Sequence, residues 1–136
     1  MATFNKFSSF VEAVAEGKHN LGSDQIKASF SNTVPVSTNS VLANITEIDY
    51  TAGLSSRDIA TTSSSQTSGT YKLVLADLEL LASGTLPAFR YIVIYNDTAT
   101  NKELIGWFDN DIEIILRSGD TFTLDMNPTT GILTLV

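Results

Sequence analysis

A mainly β domain, a β-sandwich with one N-terminal α-helix, is what this chain predicts, and three observations lead there. Short runs of β-branched and aromatic residues, bounded by Gly, Pro, Asn, Asp and Ser, recur about every 8 to 12 residues through the second half. Only one segment shows helical spacing. The stretch from Ala88 to Asp109 holds two strand-like runs around a turn and contains the sole Trp of the chain, so it is expected to be the central hairpin.

The predicted helix runs from Lys6 to Glu16. Phe7, Phe10, Val11 and Val14 recur at i, i+3, i+4 and i+7, and Gly17 stands where a left-handed C-cap belongs. Asn5 or Thr3 is the candidate cap, with Phe4 as a staple. After turn residues Gly17 to Asp24, alternation over Gln25 to Phe30 predicts a half-buried first strand. Ser31 to Ser40, with Pro35, reads as a loop, and Val41 to Asp49 as a second strand.

Thr51 to Thr70 is rich in Ser and Thr and poor in apolar residues, so a mobile loop is expected at 51–70, with a short strand at Arg57 to Thr62. Tyr71 to Leu75 resumes the strand pattern, continued by Leu78 to Ala82 through a bend. Phe89 to Tyr95 and the run up to Trp107 form the hairpin across Asn96 to Asn101. Phe108 to Ile112 is expected to break that strand. Ile112 to Leu116, Thr121 to Met126 and Ile132 to Val136 complete about nine or ten strands, with Arg117 to Asp120 as a hairpin connection. A jelly roll is the form of sandwich considered.

With 136 residues the chain is read as one domain, 1–136, with the helix and its turn in 1–20. It contains no cysteine, which excludes disulfides and thiolate metal sites. Fifteen acidic residues against eight basic ones give a net charge of −7, which opposes binding to nucleic acid. No apolar run approaches the roughly 18 residues of a membrane span, so neither nucleic acid nor membrane is an expected partner.

No residue is assigned a catalytic, cofactor-binding or metal role. His19, the single histidine, lies in a turn, with no cysteine or second histidine to complete a zinc site, and reads as a hydrogen-bonding loop residue. Asp109, Asp111 and Glu113 form an oxygen-rich stretch of the kind that holds calcium. It lacks the glycine and distal glutamate of a calcium loop, and aspartates serve turns in their own right. Carboxylate pairs drawn from Asp77, Glu79 and Asp109 are expected by chance among fifteen acids. Trp107, with Tyr91 and Tyr95, is either sandwich core or an aromatic platform for a sugar, and core is the reading preferred.

Several strings together, Phe7 to Gly17, His19 to Asp24, Ser64 to Asp77, Phe89-Arg-Tyr91, Tyr95 to Asn101 and Leu104 to Trp107, resemble small virion proteins of tailed bacteriophages. The resemblance spans nearly the whole chain. It implies a non-enzymatic capsid decoration (cement) protein, a small β-rich module on the outer surface of the capsid. It further implies synthesis in the host cytoplasm, the major capsid protein as partner, and a homo-oligomer with a trimer favoured. Phe4, Phe7 and Phe10 are the candidate anchors for that partner, and closure of the domain's own core is their alternative role. The competing function is a tail or host-attachment module that binds carbohydrate through Trp107 and the tyrosines.

Overall fold

A computed structural model describes residues 3–136. Ten strands, one α-helix and one short 3-10 helix are formed among the described residues. All paired strands are antiparallel. In chain order the strands are β1 (Thr3–Lys6), β2 (Ile26–Ser31), β3 (Asp58–Ile59), β4 (Thr61–Thr67), β5 (Thr70–Leu75), β6 (Leu78–Leu81), β7 (Phe89–Asn96), β8 (Leu104–Ile114), β9 (Thr121–Leu124) and β10 (Leu133–Leu135); α1 is Ser9–Ala15. Sheet order is β1-β8-β7-β2-β3 in the largest sheet, β10-β5-β4 in a second and β6-β9 in a third.

The main core is sandwich-like. Ile26, Ala28 and Phe30 of β2, Phe89, Ile92 and Ile94 of β7, and Ile105 of β8 form one cluster with Leu73, Leu75, Leu78, Leu80, Leu124 and Leu133 of the two smaller sheets. Phe30, Phe89 and Phe122 meet edge to face, with centroids 4.9 to 6.5 Å apart, the arrangement that ring quadrupoles favour. A jelly roll has two sheets built from eight strands; here the second layer is split into sheets of three and two strands.

The central hairpin forms as its sequence predicts, and β7 is buried along nearly its whole length. Its two faces serve different clusters. Ile92 and Ile94 enter the main core, while Val93 and Tyr95 pack with Phe7 and Leu104 on the opposite side, beneath Leu42, Ile45 and Trp107. This second cluster explains a strand without polar alternation.

Four local expectations change. First, the helix is shorter than Lys6 to Glu16, because residues 3–6 pair with β8 along an edge that would otherwise be open. Gly106 permits that pairing, since a Cβ there would lie 2.3 Å from Phe4 Cζ and 2.6 Å from the Asn5 carbonyl oxygen. The helix still ends at Gly17 (φ +75°), whose N–H reaches the Val14 carbonyl while that of Lys18 reaches Ala13. Second, Val41 to Asp49 is not a strand. A 3-10 turn at Leu42–Asn44 follows a single bridge between Val41 and Glu103, and the Asn44 side chain accepts the Ser40 and Val41 N–H groups.

Third, the expected mobile loop contains β3 and β4, and β4 forms a hairpin with β5. Ser68 (φ 51°) and Gly69 (φ 83°) both occupy positive φ, the two-residue turn that matches the twist of a hairpin. Fourth, β8 does not end at Phe108. It runs on to Ile114 through a bulge: Tyr91 pairs with Asp109, but Phe89 pairs with Ile114, and Asp111 absorbs the excess at φ 70°. Likewise Arg117 to Asp120 is no hairpin between paired strands, because β9 pairs with β6 in the other layer.

Candidate functional site: a buried polar cluster at the hairpin end

The end of β7 carries Asn96, which is fully buried although polar. Burying an amide is costly unless all its hydrogen-bonding capacity is met, and here it is. The Asn96 Oδ1 accepts the N–H groups of Thr98 and Ala99 at 3.0 and 3.1 Å. Its Nδ2 donates to Asp24 Oδ2 at 2.7 Å and faces His19 Nδ1 at 3.0 Å. One side chain therefore joins the β7–β8 turn to the loop that follows α1.

These contacts fix the amide orientation, and with it the histidine tautomer. Both Asn96 Nδ2 hydrogens are directed outward, so neutral His19 accepts at Nδ1 and carries its proton on Nε2. Nε2 is closed to solvent and has no partner among the described residues, and the same holds for Glu103 Oε2. Glu103 is 7% exposed. Burial lowers the His19 pKa from its ordinary value, opposed by the negative charges of Glu103 and Asp24, so the neutral ring is favoured near pH 7. Phe10 closes the cluster from the helix side, its ring centroid 5.2 Å from that of His19.

A polar cleft of about 480 Å³ opens beside this cluster, lined among others by Glu16, Lys18, Asp24, Thr98, Asn101 and Glu103. Among the described residues no group of three or more His, Asp or Glu side chains is disposed to hold a metal ion. What the arrangement does chemically is tie two loops through one neutral imidazole. His19 is a hydrogen-bonding loop residue, as its sequence context predicts; its partner Asn96, 77 positions away, carries no sequence signal.

The other candidates lie apart from this cluster. Phe7 and Phe10 are both 0% exposed. Phe7 packs on Trp107 with centroids 4.6 Å apart, and Phe10 belongs to the main core, so neither offers its ring to a partner surface in this chain. Phe4 is half-buried against Phe108, centroids 5.0 Å apart, and lines a cleft of about 310 Å³ with Met126, Pro128 and Ile132. Tyr91 and Tyr95 are 8% and 2% exposed, so with Trp107 they form no open platform. Burial raises the Tyr95 pKa.

Asp109 receives a two-pronged contact from Arg90, Nε to Oδ1 at 2.8 Å and Nη2 to Oδ2 at 3.1 Å. Its Oδ1 also accepts the Asp111 N–H, and these bonds, led by Arg90, hold its pKa below the usual value. Glu113 accepts from Asn32 at 3.0 Å. Asp109 thus braces the bulge, while Glu113 ties β8 to the loop after β2. Asp77 accepts the Met126 N–H at 2.7 Å, while Glu79 points to solvent from β6.

No family model matches this chain, and no curated protein or solved structure shows significant similarity to it.

Proposed function

We propose that this chain is a non-enzymatic structural protein of a tailed-bacteriophage virion, a capsid decoration protein that binds the major capsid protein on the outer surface of the shell. The resemblance in its sequence strings suggests the class. The structural observation that supports it is a set of exposed apolar side chains on two segments, the loop after β2 and the end of β8. Val34, Val36, Ile112 and Ile115 are 58%, 55%, 68% and 45% exposed. The loop after β2 and the end of β8 are tied together there by the Asn32–Glu113 hydrogen bond.

Isolated exposed apolar residues are ordinary, but Val34 stands two residues from Asn32 and Ile112 one from Glu113, the pair that joins the two segments. Apolar side chains so placed suit contact with a protein partner. Each contact of this size is weak. Many copies on a shell, assembled as oligomers, reinforce one another through repetition. The test is add-back: purified chain is mixed with capsid shells that lack it, and co-sedimentation is measured. Saturable binding that is lost in a Val34→Glu/Ile112→Glu variant of unchanged thermal stability agrees with the proposal. Failure to bind shells under any condition counts against it.

A further inference from the structure

We infer that the open edge of β4 is a self-association surface, on which the β4 strand of a second copy pairs antiparallel about a two-fold axis. An unpaired strand edge presents a row of N–H and C=O groups to any extended chain, and proteins usually blunt such edges with charge, proline or brevity. The other edges of this fold are blunted. β1 carries Lys6, β3 is two residues long and carries Asp58, β6 carries Glu79, β9 is bracketed by Asp120 and Asp125, and β10 has three residues.

β4 has none of these protections over its regular part. It is the outermost strand of its sheet, its residues are exposed or half-buried, and no charged residue or proline occurs from Ile59 to Tyr71. Its one irregularity lies between Thr61 and Ser63, which leaves Ser63 to Thr67 in regular pairing with β5. Among the described residues, the backbone of Ser63 to Thr67 forms no hydrogen bond beyond its pairing with β5.

The chemistry selects a second copy as the occupant. In a two-fold contact each residue meets its own kind or a near neighbour, so a charged edge would repel itself, the more so in a chain of net charge −7. Serine and threonine hydroxyls both donate and accept, so an uncharged Ser-Ser-Gln-Thr edge is complementary to itself. Pairing of Ser63 to Thr67 on itself places Ser65 opposite Ser65. The joined β10-β5-β4 sheets become one six-stranded sheet. Because five residues bury little area, the contact alone is weak and depends on concentration.

This inference rests on the fold and the sequence, independently of the virion reading. The cysteine-free chain makes the test direct. Sedimentation equilibrium over a wide concentration range is compared for the native chain and Ser65→Lys, and Ser65→Cys is oxidised beside a control cysteine at exposed Thr129. The expected result is a reversible dimer, shifted to monomer by Ser65→Lys at unchanged circular dichroism, with a cross-linked dimer for Ser65→Cys and not for Thr129→Cys. A monomer at every concentration, or an oligomer insensitive to Ser65→Lys that fails to cross-link at position 65, overturns the inference.

Discussion

Phe7 lies against Trp107 with ring centroids 4.6 Å apart and is wholly withdrawn from solvent. One contact thereby decides two questions about the aromatic residues. The phenylalanine before the helix seals the outer face of the central hairpin, and the tryptophan is partly covered by it. Phe7→Ala is expected to destabilise the chain by about 3 to 5 kcal/mol, the range for deleting a buried ring. Urea unfolding measures it. A change within experimental error would return Phe7 to the surface role that its sequence position suggested.

Gly106 is required by the close approach of β1. A methyl group there would meet Phe4 and the Asn5 carbonyl well inside contact distance, and overpacking of this kind costs about 1 to 3 kcal/mol. Gly106→Ala should lower the unfolding free energy measured in urea by that amount, seen as a lower midpoint at unchanged slope. Hydrogen exchange should show the loss first in residues 4–6.

The β4–β5 hairpin depends on positive φ at Ser68 and Gly69. Asparagine tolerates that conformation better than serine, so Ser68→Asn should stabilise the chain by about 0.5 kcal/mol. Gly69→Ala should cost about 1 kcal/mol. Opposite signs in the two thermal melts are the check.

Acid should weaken the hairpin-end cluster. The folded His19 pKa is lowered below its ordinary 6.5, so below pH 6.5 the unfolded chain takes up the proton first and stability falls as pH falls. Protonation of Nδ1 also removes the acceptor that faces Asn96. His19→Gln should therefore lose less stability than the native chain between pH 7 and 5. Asp109 acts in the same direction at lower pH: its carboxylate is held below 3.8, so its contribution is lost as pH falls through that depressed value, and Asp109→Asn should flatten that part of the profile.

The hairpin was legible because Phe89 to Tyr95 states its burial in its own composition. Gly17 as the end of the helix was legible from local chemistry too, whereas the burial of Phe7 and Phe10, candidate anchors for a partner by sequence, was not. β4 was not, since Thr61 to Thr67 reads as disordered by composition; the usable signal was the Ser68-Gly69 pair between two extended runs. The start of the helix was misread because Phe4 answers to Phe108 across the sheet, a relation outside any local window. His19 with Asn96 fails for the same reason. Local propensity predicts elements, but partners distant in sequence decide their ends and build the polar cluster.

The proposed place of this chain on the capsid surface is tested most directly by immunogold electron microscopy of intact particles from its source. The account predicts label spread evenly over the heads. Label confined to tails would contradict decoration of the capsid, and particles without label would contradict a place in the virion altogether.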